Sequence, residues 1–191
     1  MTESKHLVLD LFSGSKAASA SAAAYGYDVV SVDIDPQTQP SITTDISSWQ
    51  WPGKRPIFVW ASPPCQEFSR HDLPWTRKRN PPRPDLSLLL ATLRIIRETA
   101  PFFWIIENVR GAIPFFRPLL GPHTYAAQPF YLWGRFPRLP RLSFRGCKGK
   151  GCSHNAVARA SIPRSLSHAI FDSIKTAERL WCIPQQAGPQ D

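Results

Sequence analysis

The sequence lacks the long apolar run that a membrane span needs, because no stretch approaches ~20 consecutive apolar residues. We also expect no secretory signal, since Asp10 interrupts the apolar run from Leu7 to Phe12 and the alanine-rich stretch that follows is typical of a helix. Cysteine is scarce, and its scatter is not that of a secreted disulfide framework. We therefore expect a soluble, cytoplasmic protein with no membrane partner, whose thiols are free, metal-ligating or catalytic.

Acidic residues are also few, with 14 against 23 basic ones, a net charge of +9 and a pI near 9.8. This excess favours a polyanionic partner, nucleic acid above all. The basic residues crowd into two stretches rich in Pro or Gly, Arg70–Arg83 and Arg135–Lys150, which we predict to be loops that contact phosphates. Charge alone does not identify a nucleic-acid-binding protein, so the motifs must decide.

Apolar runs and periodic stretches alternate along the chain. They predict strands and helices in turn, with a long polar loop over Ser69–Pro84 and, after residue 112, an irregular C-terminal third where prolines multiply. The alternation predicts one α/β domain over residues 1–191, of doubly wound type, with a mostly parallel sheet and helices on both faces. The predicted strands are Leu7–Phe12, Asp28–Val32, Ile57–Ala61 and Phe102–Ile106, and the predicted helices are Ser15–Tyr25, Leu86–Thr99 and Pro163–Leu180.

Two strand ends carry the elements of a nucleotide site. Ser13-Gly14 follows the first strand and precedes a helix, and Asp33 comes 19 residues after Gly14, the spacing at which a carboxylate reaches ribose hydroxyls. A full glycine-rich fingerprint is absent. A tight turn beside a solvated acidic strand end is therefore the alternative interpretation.

A second pair of strand ends carries a thiol and a carboxyl group. Cys65 follows a buried strand and two prolines, and Glu107 ends another buried strand. A thiolate nucleophile with a carboxyl group that can protonate a ring nitrogen suits attack on a pyrimidine. The alternative for a lone cysteine is an inert buried thiol.

These segments resemble the motifs of the DNA cytosine 5-methyltransferases, in the order in which that family carries them. The resemblance runs from about residue 7 to residue 174. The matching segments are Asp10-Leu11-Phe12-Ser13-Gly14, Val32-Asp33-Ile34-Asp35-Pro36, Asp45-Ile46, the segment from Ala61 to Ser69 around Pro-Cys-Gln, Ile106-Glu107-Asn108-Val109-Arg110-Gly111, and Arg159–Ile170.

The resemblance implies a Rossmann-like methyltransferase fold that binds S-adenosyl-L-methionine and double-stranded DNA. It implies a target cytosine flipped out of the duplex, with Cys65 adding to carbon 6, Glu107 protonating nitrogen 3 and Asn108 ordering the catalytic loop. The implied cofactor-binding residues are Asp10, Phe12, Gly14, Ser15, Asp33, Ile34, Asp45, Ile46 and Pro64. The implied DNA-binding residues are Gln66, Ser69, Arg70, Arg77, Lys78 and Arg79.

The sequence departs from the family pattern at two places near these motifs. Lys16 stands where further glycines are usual, and it either pairs with the carboxylate of the cofactor or lies on the surface. The segment Gln128–Pro137 lacks the arginines that help to hold the cytosine, and offers only Gln128 and Arg135, to which we assign no role.

The largest departure is a missing target-recognition domain. A basic loop over residues 138–158 fills the gap, as in small phage-encoded relatives of the family. Within it, Cys147, Cys152 and His154 form the beginning of a zinc site, but no fourth ligand is evident and zinc sites usually have tighter, paired spacings. The favoured interpretation is a basic glycine-rich loop with incidental thiols and no metal. We expect a monomer.

Two other functions remain open at this stage. The same chemistry could act on transfer RNA, although the Cys-Phe-Thr signature of that branch is absent. The chain could also be a non-catalytic module that binds nucleic acid, which Lys16 and the missing arginines favour and which the intact Cys65 and Glu107 oppose.

The short recognition loop generates a prediction about sequence specificity. Because so little surface is available to contact base edges, we expect methylation at a site of about two base pairs, unless a partner protein extends it. Bisulfite sequencing of DNA exposed to the protein measures this. Methylation confined to a site of roughly four or more defined bases would contradict the prediction.

Overall fold

The computed structural model describes residues 5–72, 79–144 and 162–181. Within these ranges, no helix combines the length and apolar character needed to cross a membrane. The strands are β1 (Leu7–Leu11), β2 (Asp28–Asp33), β3 (Ile42–Thr43), β4 (Phe58–Ala61), β5 (Phe103–Asn108), β6 (Tyr125–Ala127) and β7 (Phe130–Arg135). The helices are α1 (Ala17–Ala24), α2 (Gln66–Asp72), α3 (Ser87–Thr99), α4 (Ile113–Leu120) and α5 (Arg164–Trp181). Short 3-10 turns cover Pro36–Thr38 and Arg110–Ala112.

The strands of the described residues form one seven-stranded sheet in the order β3-β2-β1-β4-β5-β7-β6. The first five strands in this order are parallel to one another, and β7 is antiparallel to its neighbours β5 and β6. The carboxyl ends of β1, β2, β4 and β5 therefore lie at one edge of the sheet, which we call the carboxyl edge.

Both faces of the sheet are covered, because successive side chains of a strand point to opposite faces. One face packs against α1 and α5 and includes Val8, Phe58, Trp60, Ile105 and Leu132. The other packs against α2, α3 and α4 and includes Leu9, Val59, Ile106 and Trp133. The central strands are accordingly apolar along nearly their whole length, with no alternation of polar residues.

Helix α5 completes the first of these faces. Its buried residues Leu166, Ile170, Ile174 and Ala177 recur at helical spacing and form one apolar stripe. Phe171 is fully buried, and its ring contacts those of Phe58, Tyr25 and Tyr27. A hydrogen bond of 2.7 Å between the Ser21 and Ser167 hydroxyls joins α1 to α5.

The four predicted strands correspond to β1, β2, β4 and β5, and the three predicted helices correspond to α1, α3 and α5, with small shifts at their ends. Strand β1 ends at Leu11 because Phe12 has a φ of 59° in the left-handed region, which an extended strand does not allow. Helix α1 begins at Ala17 because Lys16 also adopts a left-handed conformation. The two-residue strand β3 was not predicted, since its pattern is too short to detect.

Two predictions about irregular segments were wrong. The predicted loop Ser69–Pro84 begins inside helix α2, which continues to Asp72 because Phe68 packs into the core. The described residues after 112 are not irregular either, since they contain α4, β6 and β7. Prolines hid these elements: Pro114 occupies the first turn of α4, where no backbone donor is needed, and Pro129 directly precedes β7.

The packing of α5 generates a prediction about stability. Replacing Phe171 with Ala should lower the free energy of unfolding by about 3–5 kcal/mol, because it leaves a cavity between α5 and the sheet. Urea denaturation followed by circular dichroism measures the change. Leu180→Ala on the same helix is the matched control, because that side chain is 73% exposed, and its effect should stay within about 0.5 kcal/mol. Equal losses in the two variants would contradict the packing described here.

Candidate active site

Cys65 lies four residues beyond β4, directly before the first residue of α2. Its backbone carbonyl oxygen accepts hydrogen bonds from the Ser69 backbone N–H and from the Ser69 hydroxyl, each at 2.9 Å. Pro63 is buried and Pro64 is exposed, so the chain turns from the core to the surface just before the thiol. Cys65 is itself partly buried at the carboxyl edge.

Glu107 is the penultimate residue of β5 and is only 8% exposed. Strand β5 pairs in parallel with β4, with Ala61 opposite Ile106, so the two strands deliver Cys65 and Glu107 to the same edge. Burial raises the pKa of the Glu107 carboxyl group to about 7, against a smaller opposing effect of the hydrogen bond with Ser62. The carboxyl group is therefore protonated in a large fraction of molecules near neutral pH.

The thiol and the carboxyl group interact with each other. The pKa of the Cys65 thiol is raised, first by burial and then by the negative charge of Glu107. A negative charge on one group thus opposes a negative charge on the other. In the protein alone, Cys65 is held as the thiol at neutral pH.

Asn108 connects the two segments that carry Cys65 and Glu107. It is 1% exposed, and its Nδ2 donates to the Pro63 carbonyl oxygen at 3.0 Å. Its Oδ1 accepts from the Val109 backbone N–H at 2.9 Å. The structure therefore brings together the three residues predicted to be catalytic.

The ends of β1 and β2 form a second cluster at the same edge. The Gly14 backbone N–H donates to Asp33 Oδ2 at 2.8 Å, and the Asp35 backbone N–H donates to Asp33 Oδ1 at 3.0 Å. Gly14 has a φ of 42°, a conformation that favours glycine. The Asp33 carboxylate thus holds two turns in place, and each oxygen keeps a lone pair for a further donor.

Two side chains at this cluster lack the surroundings expected of their types. Ile34 is 67% exposed although it is large and apolar. The Ser13 hydroxyl is buried and has no hydrogen-bond partner among the described residues. An exposed apolar side chain and an unsatisfied buried hydroxyl at the same cluster are the pattern of a site for a ligand with both kinds of surface.

The other predicted cofactor-binding residues lie in different surroundings. Phe12 follows β1 and is partly buried, Ser15 is exposed before α1, and Ile46 is buried. Asp45 is exposed and accepts a hydrogen bond of 2.9 Å from the Ser47 backbone N–H. Asp10 is 2% exposed and its carboxylate accepts from the backbone N–H and the hydroxyl of Ser19, while burial raises its pKa to about 6.

Lys16, Arg135 and Gln128 were left without a settled role by the sequence. The Lys16 ammonium donates to the backbone carbonyl oxygen of Gln39, beyond the end of β2. Arg135 lies away from Cys65 and Glu107, because its strand position is opposite Trp104 near the start of β5 and its side chain donates to the Pro101 carbonyl oxygen. Gln128 is exposed in the turn between β6 and β7.

The predicted DNA-binding residues are described in part. Gln66, Arg70 and Arg79 are exposed and Ser69 is partly buried, whereas Arg77 and Lys78 lie outside the described residues. Of the loop over residues 138–158, only residues 138–144 are described, so Cys147, Cys152 and His154 lie outside as well. Within the ranges that the structure describes, no group of three or more His, Cys, Asp or Glu could hold a metal ion.

Two further residues of the matching segments take part in the site, although the resemblance implied no role for them. Ser62 forms the hydrogen bond that acts on Glu107, and it accepts at 2.8 Å from the Trp60 indole. Arg110 forms an ion pair with Asp72 of α2 at 2.7 Å. The signal for Arg110 was its position directly after the Glu-Asn-Val segment. Its partner could not be found, because Asp72 fell in a stretch predicted to be a loop.

The mostly parallel sheet, with helices on both faces and its site at the carboxyl edge, defines a Rossmann-like α/β protein. The sequence model of the family described as C-5 cytosine-specific DNA methylase matches residues 7–115. That match spans more than half of the chain, and the chain therefore belongs to this family. The predicted family and the predicted methyltransferase fold class are confirmed.

Similar proteins match only partly. The chain is 41% identical over 56 residues to the Type II methyltransferase M.SacI of Streptomyces achromogenes, a match that covers 29% of this chain and 14% of that protein. A methyltransferase of Entamoeba histolytica, EhMeth, has a TM-score of 0.49 and 15% identity, with 73% of this chain and 56% of that one covered. A candidate DNA modification methyltransferase encoded within an E. coli prophage has a TM-score of 0.46 and 22% identity, with coverage of 68% and 46%. The chain thus spans about half the length of these structures.

The burial of Glu107 generates a prediction about pH. The folded protein binds this proton more tightly than the unfolded chain, in which the ordinary pKa is 4.5. The neutral carboxyl group therefore stabilises the fold below about pH 4.5, and this contribution is lost as the pH rises through about 7. Relative to Glu107→Gln, the free energy of unfolding of the wild type should fall by about 3 kcal/mol between pH 4.5 and pH 8.

Urea denaturation at several pH values measures this difference. Glu98→Gln, on the exposed side of α3, is the matched control for loss of a carboxyl group. A difference between wild type and Glu107→Gln that does not change with pH would contradict the assignment of the raised pKa.

Proposed function

We propose that the chain transfers a methyl group from S-adenosyl-L-methionine to carbon 5 of cytosine in double-stranded DNA, through a covalent adduct with Cys65. The observation that carries the proposal is the pairing of the Cys65 thiol with the buried carboxyl group of Glu107 at the carboxyl edge. A nucleophile and an acid side by side are what attack on a pyrimidine ring requires. Membership of the C-5 cytosine-specific family supports this choice of reaction.

The cluster at the ends of β1 and β2 fits an adenosine-containing cofactor. The exposed apolar face of Ile34 suits the adenine ring, together with Phe12, and the Asp33 carboxylate suits the ribose hydroxyls. Asp45 at the surface suits the adenine amino group, and the turn at Gly14 allows close approach of the backbone to the remainder. S-adenosyl-L-methionine supplies the electrophilic methyl group when bound. Lys16 is not needed in this arrangement, because its ammonium contacts Gln39.

The reaction begins with a cytosine rotated out of the duplex, since neither carbon 5 nor carbon 6 is accessible inside the stack. Glu107 first donates a hydrogen bond to ring nitrogen 3, which draws electrons from carbon 6. The Cys65 thiol loses its proton to water and its sulfur forms a bond to carbon 6, while the proton of Glu107 passes to nitrogen 3 and the opened double bond leaves its electron pair at carbon 5. After carbon 5 has taken the methyl group that the cofactor would supply, its proton passes to water, the bond between Cys65 and carbon 6 breaks, and nitrogen 3 returns its proton to Glu107, which restores the aromatic ring.

The electrostatics of the two groups suit this order of events. Ionised Glu107 raises the pKa of the Cys65 thiol, so the nucleophile is protected from ionisation while the site is empty of base. While Glu107 keeps its proton and donates a hydrogen bond to the base, that charge is absent and the thiolate forms more easily. The nucleophile is therefore prepared before the proton passes to nitrogen 3.

Double-stranded DNA is the proposed substrate because the net charge is +9 and exposed polar and basic side chains follow Cys65 along α2 and beyond it. Gln66, Arg70 and Arg79 are the described members of this set. The proposal includes a monomeric enzyme with one catalytic domain over residues 1–191, acting inside a bacterial cell. Protection of a phage genome and restriction–modification both fit this activity.

The proposal predicts methylation that depends on Cys65. Expression in a bacterial host without cytosine methylation should protect cytosines in one short context from bisulfite conversion, and Cys65→Ala should abolish the protection completely. Cys182→Ala is the control for loss of a thiol and should retain it. Bisulfite sequencing of the host DNA is the measurement.

Three outcomes would contradict the proposal or its mechanism. Absence of DNA protection by soluble protein that still binds S-adenosyl-L-methionine in calorimetry would favour an RNA substrate. Absence of both DNA protection and S-adenosyl-L-methionine binding would favour a non-catalytic module that binds nucleic acid. Protection that persists in Cys65→Ala would exclude the covalent mechanism.

A further inference from the structure

The residues that directly follow Glu107 in the chain contact the Cys65 segment on both sides of the thiol. On the amino-terminal side, Asn108 donates to the Pro63 carbonyl oxygen at 3.0 Å. On the carboxyl-terminal side, Arg110 contacts Asp72, the last residue of α2. Its Nε donates to Asp72 Oδ1 at 2.8 Å, and its Nη2 reaches the same oxygen at 2.7 Å. The thiol thus lies between two points at which its segment is bonded to residues 108–110.

Gly111 brings α2 unusually close to the 3-10 turn Arg110–Ala112. A Cβ atom at this position would lie 2.1 Å from the Phe68 carbonyl oxygen, which only glycine avoids. The Phe68 ring packs edge-on against Phe116 of α4, with ring centroids 5.2 Å apart. The backbone of α2 therefore rests directly on the 3-10 turn Arg110–Ala112, and its distance from the Glu107 strand is fixed by this contact.

Movement of α2 would be transmitted to Cys65. The Ser69 N–H and hydroxyl, in the middle of α2, both bond to the Cys65 carbonyl oxygen. The close contact at Gly111 sets how near α2 lies, but it does not oppose a rotation of the helix about that point. The attachment of Asp72 by Arg110, at the far end of α2, does.

We propose that Arg110 is a positioning residue: by holding Asp72 it fixes the orientation of α2 and keeps the Cys65 thiol opposite Glu107. The Arg110 side chain is 60% exposed and that of Asp72 is 32% exposed, and an ion pair in such surroundings contributes little to global stability. Its effect is therefore on geometry. The consequence for methyl transfer rests on the proposed function, whereas the position of the thiol can be measured without DNA or cofactor.

The test measures the rate at which iodoacetamide alkylates Cys65 in the full chain, by mass spectrometry of the peptide that contains it. Arg110→Gln and Asp72→Asn should each raise the rate at neutral pH about threefold or more, because the thiol leaves its buried place beside Glu107 and more of it ionises. The pH profile of alkylation should move to lower pH in both variants. The double variant should react no faster than either single one, since both remove the same ion pair.

Two controls accompany these variants. Arg110→Lys keeps a positive charge within reach of Asp72 and should restore most of the wild-type rate. Arg117→Gln removes an exposed arginine from α4, outside the site, and should leave the rate unchanged. Thermal unfolding by circular dichroism should show all variants folded, with melting temperatures close to that of the wild type.

Wild-type alkylation rates in Arg110→Gln and Asp72→Asn would overturn the inference, and so would strictly additive effects in the double variant. In methylation assays, the same variants should lower kcat by about tenfold or more while the KM for the cofactor stays constant, because misplacement of a nucleophile acts on the chemical step. If the variants are alkylated faster but the wild-type protein methylates no DNA, the positioning role is upheld and the proposed function is rejected. The two conclusions are thus tested separately.

Discussion

The parallel pairing of β4 with β5 is the interaction on which the candidate active site depends. It aligns Ala61 with Ile106, and the two strands then end within a few residues of each other at the same edge. A slip of one residue would turn every side chain of β5 to the opposite face and remove Glu107 from the thiol. The buried side chains of both strands resist such a slip, since Phe58, Trp60 and Ile105 face one core cluster while Val59 and Ile106 face the other. The precision of the site is therefore supplied by hydrophobic packing of the strands that carry it.

The carboxyl edge carries two buried carboxyl groups with raised pKa values, and they serve different purposes. Asp10 is enclosed by Ser19, which satisfies one of its oxygens and ties the end of β1 to the start of α1. Among the described residues, Glu107 has weaker support from a hydrogen bond with Ser62, so burial dominates its pKa. A carboxyl group that burial keeps neutral is costly to the fold once it ionises, and such a cost is commonly retained where a proton must be delivered. The less satisfied of the two groups is the one next to the thiol.

The central strands and the site residues at their carboxyl ends could be predicted from the sequence because their signals are local. Each of β1, β2, β4 and β5 is a short apolar run followed by a polar or turn-forming residue, and parallel strands of this kind bring Gly14, Asp33, Cys65 and Glu107 to one edge. The C-terminal elements could not be predicted, since prolines around α4 and β7 obscure their patterns. The contact of Arg110 with Asp72 spans 38 positions and the close approach of Gly111 to Phe68 spans 43, and neither leaves a periodic trace. Contacts of this kind are set by how α2 packs, which becomes visible only in three dimensions.

The first face of the sheet joins the two ends of the described chain, because α1 packs against α5 across a separation of 146 positions from Ser21 to Ser167. This has a consequence for biosynthesis. A nascent chain that has not yet released α5 from the ribosome leaves one side of β1 and β4, and the apolar side of α1, in water. Closure of this face must then wait until α5 has been synthesised, since contacts between distant residues form only after the intervening loops have closed. A cell that makes this protein therefore exposes an open sheet until α5 leaves the ribosome, and the arrival of α5 is the event that protects the sheet from association with other unfinished chains.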